Sequence, residues 1–323
     1  MQWDYGNKAR GPSMEKTYFF ENLRGLAAKV EPFWYDEYLG APGELGAALL
    51  RKAGDFKPDL IFFLPAGEEF QPAVLDELKG KWPTLAWFGD DTWRFDLYAA
   101  KMAPHFTYAA TTDPFSVTKY EKLGITPILT QWAAQLSGPP PAKLPPEAYD
   151  RDVSFVGGYN SSRAWYIERI RAAGIAVDCF GAGWPAGKIS FPEMEKIFYR
   201  SRINLNLSNS VNPDVRYLLS GIRPLVNFLR SPKLAEQIKA RNFEIPLAGG
   251  FQLTNYVRGI ERYLSIGGEV AVFASPEECV EQVRYYLQNE DERREILLAG
   301  HRRALAEHTY EFRLKNILGE IWK

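Results

Sequence analysis

The chain has 323 residues, 46% apolar and 24% charged, with a formal net charge of -1. That is the make-up of a folded globular protein large enough for two cores. It excludes disorder and gives no polyanion-binding signature, so nucleic acid is not an expected partner. No apolar run approaches the roughly 20 residues of a membrane-spanning helix.

The elements alternate from the start. Helical patterns near 15–29, 43–52, 72–81 and 114–123 interleave with strand-like runs at 59–64, 84–88, 106–110 and 126–130. Asp113 followed by Pro114 supplies an N-cap acceptor and then proline at a first helical position. Five prolines between 136 and 150 cannot continue a helix or a central strand, so 137–150 reads as an inter-domain linker. Strands are then expected at 153–156, 177–180, 203–207, 251–254 and 270–273. Helices are expected at 161–173, 191–201, 276–288, 290–307 and 310–323. Ser190 with Glu193, and Ser275 with Glu278, have capping-box spacing with proline inside. Near-continuous apolar strands separated by helices argue for parallel sheets covered on both faces. The expectation is α/β: two doubly wound Rossmann-like domains, 1–136 and 151–308, facing each other across a cleft. In such sheets ligands sit beyond the carboxyl ends of the strands.

Four loops therefore matter. In 239–254, Lys239 and Arg241 can neutralise a diphosphate, and Glu244 can accept hydrogen bonds from vicinal hydroxyls. Gly249 and Gly250 would let backbone approach a ligand. Glu236 lies eight positions before Glu244, a spacing used by many retaining glycosyltransferases. After the strand 153–156, Gly157 and Gly158 open into a helix whose first turn holds Arg163. This is either an anion site or a plain turn capped by Ser161 or Ser162. Trp184, after Gly181 and Gly183, is a wall for a nucleobase or a packed tryptophan. Beyond the strand 84–88, Asp90 and Asp91 suit an acceptor hydroxyl, and Trp93 a sugar face. The alternative is a helix start with Asp91 paired to Arg94. His105 is an acceptor contact or an internally satisfied histidine. No nucleophile elbow, Walker loop or dinucleotide fingerprint is present.

These residues carry a resemblance to the CgeB-type glycosyltransferases, named for a spore-maturation protein and distantly similar to the retaining enzymes of the two-domain GT-B fold. It rests on 237–246, 249–256, 307–313, 87–91 and 93–96. The sequence departs from the pattern over 206–232, and Ala248 stands where a cysteine is expected. The resemblance implies a nucleotide-diphosphate sugar on the C-terminal domain and a glycan or other hydroxyl acceptor on the N-terminal one. Glu244 would hold the ribose; Lys239, Arg241 and Arg163 the diphosphate. Transfer would proceed with retention and without a metal ion or other cofactor, and Asp90 or Asp91 would be the base if it inverts. The three histidines and two cysteines offer no zinc spacing. The last helix, 309–323, would return to the first domain with Trp322 as its anchor. A nucleotide-sugar epimerase and a non-catalytic sugar-nucleotide-binding coat protein are the competing readings. The first residues lack the charge and hydropathy pattern of a signal sequence, and Cys179 and Cys279 lie in apolar surroundings. A reducing cytoplasm is therefore expected.

Overall fold

The computed structural model describes residues 1–211 and 213–323. The chain divides into two compact units: 1–131 with 310–323, and 132–309. Among the described residues no helix is long and apolar enough to cross a membrane.

The first unit holds a four-stranded parallel sheet, in spatial order β1 (Ile61–Phe63), β2 (Thr84–Phe88), β3 (Tyr108–Thr111) and β4 (Ile128–Leu129). Each strand is next to its sequence neighbour, in parallel registers that place Ile61 beside Thr84, Leu85 beside Tyr108 and Ala110 beside Ile128. Its core is aromatic: Phe63 meets Phe106 edge-on at 5.1 Å and Phe70 at 5.3 Å. The helix Tyr310–Ile321 belongs to this unit. Tyr310 stacks on Tyr18 at 5.0 Å and meets Phe19 edge-on at 5.1 Å, with Leu314 and Ile317 buried behind it. Trp322 is not an anchor. It is 56% exposed, because it lies just past the end of the helix.

The second unit holds five parallel strands: β5 (Arg151–Val156), β6 (Asp178–Phe180), β7 (Ser201–Asn206), β8 (Gln252–Asn255) and β9 (Ala271–Phe273). Their spatial order is β6-β5-β7-β8-β9, so the chain reverses its direction of travel across the sheet between β5 and β7. The strands are less uniformly apolar than the sequence reading supposed. Val153, Phe155, Ile203, Leu205 and Leu253 face one core, packed with the helices Ser161–Ala172, Pro276–Gln288 and Glu290–Glu307. The alternate positions Ser154, Asn204, Gln252 and Thr254 are buried polar groups on the other face. Most of their polar atoms are paired: Ser154 Oγ donates to Asn204 Oδ1 at 2.9 Å, and Asn204 Nδ2 donates to the Phe198 carbonyl at 2.9 Å. Gln252 Nε2 donates to the Asn242 carbonyl at 3.3 Å, which ties the helix Arg241–Leu247 to the sheet. Buried polar groups hold position only when paired, so this network orients that helix.

The proline-rich segment is not a free linker. The second unit already begins at Trp132, and 137–150 packs on it. Ser137 donates backbone N–H and Oγ to Glu195, and Tyr199 Oη donates to the Lys143 carbonyl at 2.8 Å. The Ser190–Glu193 capping box forms in full; at Ser275 only half does, its Oγ accepting from Glu278 N at 3.1 Å while the Glu278 carboxylate accepts from Ala274 N at 2.7 Å. Asp113 caps instead a turn through Ser116, and its helix starts later, at Val117. Cys179 and Cys279 are buried and unpaired.

Candidate functional site

The reversal between β5 and β7 is where an open parallel sheet leaves a crevice, because its two flanking loops turn opposite ways. The loop after β5 carries Gly157 and Gly158, then Asn160, whose Oδ1 accepts from Arg163 N at 2.8 Å and caps the helix Ser161–Ala172. The cap is therefore Asn160, not Ser161 or Ser162. Arg163, one turn in, reaches back over both loops. Its guanidinium donates to the Leu207 carbonyl at 2.9 Å, the Ser208 carbonyl at 3.1 Å and the Gly158 carbonyl at 2.9 Å. Arg163 thus fastens the two edges of the crevice together.

Asn255, the last residue of β8, accepts from Ser208 N at 2.7 Å through Oδ1 and donates through Nδ2 to Glu236 Oε2. Arg163, Ser208, Ser210, Glu236 and Asn255 line one pocket, with about 20 Å³ of free volume. That is room for about one water molecule.

The electrostatics of this pocket favour an anion. Burial and then the neighbouring Arg241 charge lower the Arg163 pKa to about 10, leaving it charged at neutral pH. A negative group between the two guanidinium ions relieves both effects. Arg241 also pairs with Glu244 at 3.1 Å and lies over the Phe198 ring, 5.0 Å from its centroid. Glu244 is 8% exposed, on the helix Arg241–Leu247. Burial raises the Glu236 pKa to about 7, against the pull of the Asn255 hydrogen bond. Near neutral pH that carboxyl can therefore donate or accept hydrogen bonds.

Other expected contacts lie elsewhere. Gly249 and Gly250 do not face a ligand: both are buried and close the helix Arg241–Leu247. Gly249 N donates to Pro246 O and Gly250 N to Ile245 O, each at 3.0 Å, with Gly249 at φ +78°. A Cβ on Gly250 would stand 2.7 Å from Asn204 Nδ2 and 2.8 Å from the Phe198 carbonyl, so its absence lets helix and sheet approach. Trp184 is a packed residue, not an open wall. It is 9% exposed, and its Nε1 donates to Gly157 O at 2.9 Å. Lys239 is half-buried, with Nζ 5.6 Å from the Trp132 ring centroid.

In the first unit Asp90, Asp91 and Trp93 follow β2. Asp91 is fully buried, and its Oδ2 accepts from Thr111 Oγ1 at 2.6 Å and Tyr120 Oη at 2.8 Å. Burial pushes its pKa up to about 7, but the carboxylate is committed to the core and not presented to an acceptor. Asp90 and Trp93 are half-buried beside it, and the Arg94 guanidinium turns to the Ala66 carbonyl at 3.0 Å rather than to Asp91. His105 is on the wrong edge. It precedes β3, so it lies at the amino end of the sheet, with Nδ1 2.7 Å from Asp76 Oδ1. Ser208, Ser210 and Asn255 were missed because single polar residues after a strand carry no spacing signal. Only the sheet order brings them together.

Residues 163–319 match a family model described as glycosyl transferase-like. The fold matches that of a glycosyltransferase from Rickettsia africae ESF-5 with a TM-score of 0.62 and 9% identity, over 93% of this chain and 86% of that one. A sucrose-phosphate synthase from Thermosynechococcus elongatus matches at 0.61 and 10%, over 92% and 82%. Anabaena HepE in complex with UDP-glucose matches at 0.58 and 10%, over 86% and 81%. The chain has the GT-B fold of these enzymes, and its segment 163–319 is glycosyl transferase-like. No curated protein matches it in sequence. The matched segment opens at Arg163 and takes in Glu236, Arg241, Glu244 and Asn255.

Proposed function

We propose that this chain is a glycosyltransferase that binds a nucleotide-diphosphate sugar at the β5/β7 crevice of its second unit and passes the sugar to a hydroxyl acceptor held by the first. The observation that carries this reading is the half-buried Arg163 guanidinium, which shares a pocket with Glu236 and feels the Arg241 charge. Two neighbouring cations at a helix N-terminus are suited to a diphosphate, and a carboxyl poised near neutrality to sugar hydroxyls. The donor is a uridine nucleotide by analogy with HepE, whose structure holds UDP-glucose. The narrower CgeB-type assignment rests on the 237–256 motif and belongs to the same proposal.

Transfer proceeds with retention. The bond from the anomeric carbon to the diphosphate oxygen breaks, and the acceptor oxygen bonds on the same face. The acceptor proton passes to the departing phosphate. Arg163 and Arg241 stabilise the charge that develops on that phosphate, a role a metal ion fills elsewhere, so the reaction runs without one. Glu244 holds the ribose and Glu236 the transferred sugar. Because the departing phosphate takes the acceptor proton, no base in the first unit is needed. Two unpaired, buried cysteines suit a reducing cytoplasm.

The test is thermal stabilisation by uridine, UDP and UDP-glucose, with magnesium or with a chelator, for the native chain and for Arg163→Met. A ligand at 100 times its Kd adds about 2.7 kcal/mol. The native chain should be stabilised equally with and without magnesium, and Arg163→Met should lose the advantage of UDP over uridine. A native chain that treats uridine and UDP alike, or Arg163→Met behaving as native, would refute the assignment.

A further inference from the structure

The second unit exposes an apolar surface that its core does not use. After Ser210 the chain leaves the donor pocket and returns to it at Glu236, and the base of this excursion is closed by Val211 N donating to Lys233 O at 2.9 Å. Within it lies the nine-residue helix Ile222–Arg230. On a 3.6-residue period Ile222, Leu225, Val226 and Leu229 fall on one stripe, and all four are exposed, Ile222 by 81% and Leu229 by 73%. Leu219, just before the helix, is 80% exposed. Single exposed apolar residues need no explanation, but a contiguous stripe does.

Charge decides what covers it. Positions 215–235 hold Arg216, Arg223, Arg230 and Lys233 and no acidic residue, in a chain of net charge -1. Arg216 is neutralised by Asp214 and Glu277, each at 2.6 Å. Arg223 and Arg230 fall together along one flank of the stripe, both exposed. A second copy docking antiparallel through the same stripe would bring these arginines against their own equivalents with no carboxylate between them. A surface that is apolar beneath and anionic above pairs with both features.

We infer that the helix Ile222–Arg230 lies in the surface of an anionic phospholipid bilayer, its stripe at the acyl boundary and Arg223 and Arg230 at the headgroup phosphates. Such helices bind through buried apolar area plus attraction to anionic lipid. Tyr217 Oη and Ser161 Oγ, 2.6 Å apart, tie the excursion to the helix that opens at the donor pocket. The membrane contact therefore sits beside the donor site of the same unit.

The full chain should sediment with phosphatidylcholine vesicles that contain phosphatidylserine. Replacing both arginines, R223S with R230S, should weaken that binding by roughly 30-fold at low salt, about fivefold for each cation. Ile222→Ser with Leu229→Ser should abolish it. All four side chains are exposed, so each variant should melt as the native chain does. Native protein left in the supernatant with anionic vesicles overturns the inference, as do variants that bind like it. So does a native dimer that Leu229→Ser makes monomeric while vesicles capture neither.

Discussion

Glu236→Gln separates the electrostatics of the donor pocket from its packing. In the folded chain burial moves this carboxyl from its ordinary 4.5 to about 7. The folded state therefore holds its proton to higher pH than the unfolded chain does. Between pH 4.5 and 7 the unfolded chain binds fewer protons, so stability falls as pH rises, and above 7 the whole penalty is present. A displacement of that size corresponds to about 3 kcal/mol. Glu236 is half-buried, and solvent screening reduces the effect to about 2 kcal/mol. Glutamine carries no charge and keeps an oxygen to accept from Asn255 Nδ2. The variant should thus match the native chain near pH 4.5 and exceed it by about 2 kcal/mol above pH 7, a rise in Tm of roughly 5 °C for a unit of this size. Its affinity for UDP-glucose should fall. Thermal melts across this pH range, with and without the nucleotide sugar, make the measurement. A stability difference independent of pH, or a variant less stable than native above pH 7, would show that the carboxyl is not held against its charge.

Substitutions at two further positions test the corrected assignments. Gly250→Ala drives a Cβ to within 2.8 Å of a backbone carbonyl that cannot yield, so it should lower stability by about 1–3 kcal/mol in urea melts; native stability would mean that the helix sits further from the sheet. Asp91→Ala removes the acceptor of two buried hydroxyls and should cost about 1–3 kcal/mol. Asp91→Asn keeps an acceptor, so it should lose less and retain glycosyl transfer; a well-folded Asp91→Asn without transfer would restore Asp91 as a catalytic base.

Much of the architecture was legible because it depends on local periodicity. β2 was expected where it forms, the helices Pro276–Gln288 and Glu290–Glu307 at their observed limits, and both serine caps at their residues. Apolar runs and capping side chains act over a few positions, so sequence alone settles them. The helix Ile222–Arg230 was missed because Pro224 and a preceding glycine mark it as a turn, although proline is tolerated in a first turn.

The donor pocket was only half legible. Arg163, Glu236, Arg241 and Glu244 stood out by charge and spacing, and the sequence by itself determined that they belong to one glycosyltransferase-like segment. It could not determine which glycines serve a ligand and which serve packing. Gly250 is required by Asn204 and Phe198, more than forty residues earlier in the chain. Nor could it separate Asp90 from Asp91, since the acceptor role of Asp91 depends on Thr111 and Tyr120 reaching it across the first unit. Nor could it place His105 and Asp90, which the strand direction puts at opposite edges of one sheet. Side-chain type and spacing follow from the chain. Burial, the partner of each polar atom and the edge of the sheet follow from strand order, and that is decided only when distant segments pack.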